Sequence, residues 1–312
     1  MSQLLIQSRN SIAAWLLQSA PEMRELDVRR WELTFANGLR VAVAAPVDNH
    51  FLLFDAAAPV ACELDEAPQW LRWNAELDGF AKIALAPGSW QVRLRAEVPI
   101  EEEADPAARV AGTLRGMQDA YQRLAHKATA TGAAQPAAPA DASHASGSLS
   151  AVLRETGWLF QERAGGVAAV EIAIRDASSC VSLQELPGGF HAALELLRVD
   201  APAAVSATAV AALLLCAGSS LRLARPFAAD ADGQLVCGFE IRFAGAITAV
   251  ELVHALEALT VAGWACKEEV HSLLDNAVAG SYLAIRKLSP TLAREECTQW
   301  ANPKPHPQQA CR

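Results

Sequence analysis

Polar and apolar residues alternate strictly over Arg29–Ala36, with Trp31, Leu33 and Phe35 on one side and Arg30, Glu32 and Thr34 on the other. A period of two marks a half-buried strand. Asn37-Gly38 follows and predicts a hairpin of type I′, whose two central residues both need positive φ. The return strand runs over Leu39–Ala45 and carries Val41 and Val43. Phe51–Phe54 predicts a third strand, and Pro68–Leu77 a short helix with its proline in the first turn. A second hairpin joins Phe80–Leu85 to Trp90–Val98 through Pro87-Gly88. In its second strand Trp90, Val92, Leu94 and Ala96 alternate with Gln91, Arg93, Arg95 and Glu97. An amphipathic helix over Leu4–Leu17 precedes these strands and a long one over Pro106–His126 closes them. The order is α-β-β-β-α-β-β-α.

The rest of the chain repeats that order. Leu149–Gln161 predicts an opening helix, and Ala168–Arg175, Cys180–Leu186 and Phe190–Leu196 three strands. Ala201–Leu221 carries no charge and is long enough to span a membrane. Pro202, Ser206, Thr208 and Gly218 interrupt it, and the expected element is a buried core helix that starts near Asp200 and Pro202 and stops at Gly218. Leu221–Pro226 and Gln234–Phe243 form a hairpin around Asp232-Gly233. A closing helix over Ile247–Ala262, a turn at Gly263 and a further helix over Ala265–Val278 complete the pattern. Leu33 and Ile172, like Ile83 and Arg222, stand 139 positions apart. The expectation is an α+β fold: two tandem α-β-β-β-α-β-β-α domains, each an antiparallel sheet with helices on one face and a partly open second face. The copies occupy residues 1–126 and 149–280. An Ala/Pro/Ser-rich flexible linker over 127–148 separates them, and 281–312 forms a C-terminal extension with a disordered tail.

Composition narrows the function classes. The 312 residues include 26 Lys plus Arg and 35 Asp plus Glu, a net charge of −9, and 52% are hydrophobic. That hydrophobic share excludes general disorder, and the acidic balance argues against a nucleic-acid binder. Seven cysteines, none in a C-x-x-C pair, suit a reducing cytoplasm better than a disulfide framework. The first 17 residues lack the basic leader and compact apolar run of a signal peptide. The sharpest chemical signal is a doubled Glu-x-x-His, Glu251 with His254 and Glu268 with His271. Two-metal carboxylate bundles use such motifs, and a turn at Gly263 would bring the histidines face to face. Only two helices offer ligands, however, so a solvated polar face is the expected role. Cys297, His306 and Cys311 in the proline-rich tail match no standard metal spacing. No phosphate loop, dinucleotide fingerprint, nucleophile elbow or zincin motif occurs. Neither an enzyme nor a cofactor is expected.

Trp70-Leu71-Arg72-Trp73-Asn74-Ala75 resembles the Leu-rich helix ending in Asn of the class I type III secretion chaperones, the Tir-chaperone (CesT) superfamily, and the related YbjN-like domains. Ile83–Leu85 and Val92–Leu94 follow as that family's hairpin, and Asp105–Tyr121 as its closing helix. Leu213–Ala217 precedes Leu221–Leu223 in the same way. The resemblance implies a non-catalytic cytoplasmic protein that holds an extended segment of a client, such as a secreted effector. Family members are usually single domains that pair as homodimers, so two linked copies imply an internal pseudo-dimer or two sites at high effective concentration, with a homodimer of the chain as the other arrangement. Client contacts are expected at Trp70 and Trp73 on the short helix, and at Val41, Val43, Phe51 and Leu53 on the strands. An adaptor of the same fold outside secretion is the alternative.

Overall fold

The computed structural model describes residues 2–46, 51–60, 63–86, 89–100, 106–127, 148–163, 166–186, 189–200, 205–245 and 247–288. Helix α1 (Ser2–Ser19) leads into strands β1 (Glu22–Asp27), β2 (Arg30–Thr34), β3 (Arg40–Ala44) and β4 (Phe51–Ala57). Helix α2 (Ala67–Asn74), strands β5 (Lys82–Leu85) and β6 (Val92–Pro99), and helix α3 (Pro106–Lys127) finish the first half. The second half contains α4 (Ser148–Thr156), β7 (Phe160–Arg163), β8 (Val167–Ile174), β9 (Ala177–Leu186) and β10 (Gly189–Val199). It continues with α5 (Val205–Gly218), β11 (Arg225–Ala231), β12 (Gln234–Ala244), α6 (Ala249–Ser272) and α7 (Asn276–Leu288). The expected linker, 127–148, lies outside the described residues except for Lys127 at the end of α3 and Ser148 at the start of α4. Pro87-Gly88, Pro202, Glu101–Glu103 and the tail with Cys297, His306 and Cys311 also lie outside them.

The architecture is α+β, with two six-stranded antiparallel sheets ordered β1-β2-β3-β4-β6-β5 and β11-β12-β10-β9-β8-β7. Trp31, Leu33, Val41, Val43, Leu52, Phe54, Leu94 and Ala96 fill the inner face of the first sheet. There α3 covers β5 and β6, and α1 packs on α3. Val170, Ile172, Leu183, Leu194, Phe239 and Ile241 do the same in the second, under α6, with α4 packed against that helix. The alternating strands therefore fold as their pattern dictates, one face inward and one outward.

Several details differ from the sequence expectations: β11 begins only at Arg225, so most of Leu221–Pro226 is a bend, and the expected helix Ala265–Val278 divides between the end of α6 and the start of α7. Each half has four strands before its middle helix, not three. The missed strand β1 reads Glu-Met-Arg-Glu-Leu-Asp and is exposed at all but one position, so it shows no alternation. Strand β7 begins where the expected helix Leu149–Gln161 would still run; Gly157, at φ +74°, stops α4 and releases the chain. The Asn37-Gly38 turn is not type I′, because only Gly38 has positive φ. Asp232-Gly233 has both residues there, at 53° and 79°, as that turn requires. Finally, Gly263 makes no turn: α6 runs through it unbroken. A Cβ at 263 would stand 2.3 Å from Ile174 Cδ1, so glycine serves a close approach of helix to sheet.

The two halves pack into each other. Helix α2 lies against β11 and α5, while α5 lies against β5, so each middle helix covers the edge strand of the opposite sheet. Two cations lock this exchange. Lys82 Nζ donates to Leu221 O at 2.6 Å and Ala224 O at 3.4 Å, and pairs with Glu97 at 2.8 Å. Arg225 Nη1 donates to Leu77 O at 2.8 Å, Gly79 O at 3.3 Å and Ala81 O at 3.0 Å, and its guanidinium pairs with Glu240 at 2.7 Å. Exchanging the halves carries the Lys82–Ala224 contact onto the Arg225–Ala81 contact, the mark of a pseudo-twofold axis. Arg109 and Glu251 form a third buried pair across the halves, with Arg109 over the Phe243 ring and Phe80 edge-on to it at 5.2 Å. These three pairs contain all the buried charged residues among the described ones.

Helix α6, at 24 residues, is the one described helix long and apolar enough to cross a membrane, and its buried side runs along β8, β10 and β12. The alanine-rich α5 is shorter and packs in the core as expected.

Removing one member of such a pair strands the other charge. Arg225→Met leaves Glu240 without its main partner and three carbonyls without a donor, and we expect a loss of about 4 kcal/mol in urea denaturation. The acid limb follows from the same pair. Burial alone would raise the Glu240 pKa, but Arg225, the His191 hydrogen bond and Arg242 together hold it below its ordinary 4.5. Its stabilisation is therefore complete above pH 4.5 and disappears as the pH falls through the depressed native value. Thermal scans from pH 7 downward should show an acid-side loss of stability that is smaller in Glu240→Gln.

Candidate functional site

Away from β5, which α5 covers, the outer face of the first sheet is partly exposed. Pairing places Arg30, Ala44 and Leu53 in one row across β2, β3 and β4, and Ala42, Asp55 and Arg95 in the next across β3, β4 and β6. These rows form the floor of a groove of about 570 Å³. Its apolar floor is Ala42, Ala44 and Leu53. Leu26, on the free edge strand β1, contributes one side, half exposed at 51%. Ala86 and Ser219 contribute the other, and Ser219 comes from the second half of the chain. Arg95 Nη1 donates to Ser219 O, so the locked halves complete the groove together.

Four charged residues line this space: Arg30, Asp55, Arg93 and Arg95. Arg93 is ion-paired with Asp55, and Arg95 Nε lies 3.8 Å from the same carboxylate. Arg30 is exposed and has no carboxylate partner among the described residues. The outer face of the second sheet has its own cavity of about 560 Å³, bordered by Phe160, Ala169, Glu171, Ser178 and Cys180. Leu159 stands beside it, 90% exposed.

The expected client contacts scatter. Leu53 lines the groove. Phe51 is half-buried on the same outer face, two residues along β4. Val43 borders the groove, but its side chain points inward at 1% exposure. Val41 and Trp70 are wholly buried, so the sheet's inner face and the packed side of α2 take them away from any partner. Trp73 is half-buried on α2, outside the groove. Asn74, the residue of the helix motif, is structural: its amide bonds both N–H and C=O of Ile83 and staples α2 to β5. The groove arginines were visible as the polar side of an alternating strand, where they read as ordinary solvated charge.

The doubled Glu-x-x-His does not assemble. His254 and His271 lie on one continuous helix, about 25 Å apart along its axis. Glu251 is committed to the capping box with Thr248 and to Arg109, and Glu268 to Arg175. Among the described residues no group of three or more His, Cys, Asp or Glu could hold a metal ion. Burial pushes the Cys237 and Cys266 thiols up to about 12, too high for either to act as a thiolate nucleophile near neutral pH.

No family model, curated protein or solved structure matches the chain.

Chelation checks the metal assignment. Dialysis against EDTA should leave the thermal midpoint unchanged, and His254→Ala should alter neither metal content nor midpoint; a fall in both would restore a site on α6.

Proposed function

We propose that the chain is a non-enzymatic protein-binding module that holds an extended client segment on the open face of its first sheet, in the manner of the secretion chaperones its sequence resembles. The observation that carries this reading is the groove itself. It has an apolar floor, charged walls, and a neighbouring edge strand whose outer backbone groups pair with no other described strand. Extended peptides bind such surfaces by main-chain pairing along an edge and side-chain contacts on the face. Burying the exposed part of Leu26 and Leu53 contributes on the order of 1–2 kcal/mol, enough for reversible holding. The cytoplasm is the proposed compartment. Among the described residues Cys180, Cys216, Cys237 and Cys266 form no disulfide, which suits reducing conditions.

The test combines capture with mapping. Protein purified from its native host with a retained partner should show slower amide exchange in β1, β3 and β4 than partner-free protein. Leu53→Asp should lower retention about tenfold, since a carboxylate would be desolvated against the client's apolar side chain. Retention that is unaffected by Leu53→Asp, or protection confined to other strands, would remove the groove from this role.

A further inference from the structure

The three buried ion pairs do not respond alike to an exchange of the halves. Lys82 pairs with Glu97 and Arg225 with Glu240, each inside its own half. Register makes the two cations equivalent: Lys82 stands opposite Arg95 on the edge of the first sheet as Arg225 stands opposite Glu240 on the edge of the second. Both also reach across to the same place, the carbonyl just before the other cation, Ala224 for Lys82 and Ala81 for Arg225. Two copies of either half could repeat these contacts, because every residue offers the same backbone carbonyl. The cations thus bind the halves without telling one from the other.

Arg109 and Glu251 do tell them apart. Arg109 is the fourth residue of α3 and Glu251 the third of α6, the closing helices of the two halves. They stand 142 positions apart, against 143 for Lys82 and Arg225, so they occupy matching places to within one residue. A contact between matching places lies at the pseudo-twofold axis. Here it joins a cation to an anion, both side chains only 1% exposed. Pairing the first half with a copy of itself would set guanidinium against guanidinium there, and the second half with itself carboxylate against carboxylate. Like charges shut away from water repel strongly, and the desolvation of one is no longer offset by the charge of the other. The neighbouring contact of Phe80 with Phe243 carries no such penalty, since the counterparts of these rings, Leu223 and Val98, are also apolar.

We propose that Arg109 and Glu251 choose the partner at this interface. Each half accepts the opposite half and rejects a second copy of itself, so the seam is filled from within one chain and closed to same-half association between chains. A buried pair that served stability alone could be replaced by apolar side chains at little or no loss. Placed on the axis between two similar surfaces, it also sets which surfaces meet, by building repulsion into the wrong pairing.

Two full-length chains with opposite substitutions test it. Arg109→Glu places two carboxylates at the axis, and Glu251→Arg two guanidiniums. Each is mismatched within its own chain, yet the first half of either matches the second half of the other. The connection over 128–147 reaches about 70 Å at full extension, enough for halves to exchange between chains. Linkage gives a half an effective concentration in the millimolar range, which keeps wild-type chains apart; relief of two mismatches in one dimer reverses that preference. Co-expressed under different affinity tags, the two variants should co-purify as a dimer by light scattering, in at least about tenfold the yield of two wild-type chains tagged in the same way. Two tagged copies of Arg109→Glu should co-purify no better than wild type. Glu251→Arg also loses the carboxylate that accepts from Thr248 N, but loses it alone and in the mixture, so the comparison is unaffected. Combined in one chain, the two substitutions should give a monomer whose thermal midpoint is closer to wild type than that of either single variant. Co-purification of the mixture at or below the wild-type level, equal co-purification of Arg109→Glu with itself, or a combined variant no better than the worse single one overturns the assignment.

Discussion

Two cations placed on edge strands hold this molecule together. Lys82 and Arg225 each sit where a sheet ends, each pairs with a carboxylate of its own half, and each spends its remaining donors on carbonyls of the other half. An edge strand normally faces water and invites stray pairing. Here both inner edges are instead capped by the opposite half's helix, and the cations satisfy backbone acceptors that this burial would leave without water. Burial pulls both Lys82 and Arg225 below their ordinary pKa values, partly countered by Glu97 and Glu240. The charged forms are thus kept inside at a cost that the pairing and the hydrogen bonds offset.

That lock also decides where a partner can bind. Because α2, α5, β5 and β11 are consumed in joining the halves, the free edges are β1 and β7, and the free faces are the outer faces of the two sheets. The groove on the first face reaches up to Ser219, which the lock holds within reach of Arg95. The first half alone would have the floor with only Ala86 on that side. The duplicated sheets have also diverged at their open faces, one lined by three arginines and an aspartate and the other by serine, cysteine and a balanced pair of charges.

Much of the fold was legible because alternation and burial are the same fact stated twice. Trp31, Leu33 and Phe35 point inward as their spacing demands, and the two halves repeat one order of elements, although Lys82 of β5 answers to Arg225 of β11 at 143 positions, not 139. What escaped was what alternation cannot report. Strand β1 is exposed on both faces, β7 is too short to establish a period, and Gly263 packs against a sheet at a position where a sequence shows only a helix breaker. The pairing of the halves had a signal that went unread. Lys82 stands inside Phe-Ala-Lys-Ile-Ala-Leu, and a lysine in a strand buried at every position must find partners indoors. Among the expected contacts, Phe51 and Leu53 lie half-buried on the outer face, whereas Val41 and Val43 point into the core. Trp70, expected as a surface anchor on a short helix, is buried on α2, a helix whose packing against β11 and α5 local spacing does not reveal.

The lock has a timetable. Its donors and acceptors lie 139 to 148 residues apart along the chain. At ribosomal speeds of about 5–20 residues per second, the acceptors for Lys82 emerge on the order of ten seconds after it does. Through that interval the nascent first sheet carries an unfinished edge, with β5 uncovered and its ammonium still hydrated. A hydrated lysine in an otherwise sticky strand repels the premature neighbour that a leucine there would attract. The residue that later closes the molecule thus guards it while it is still being made.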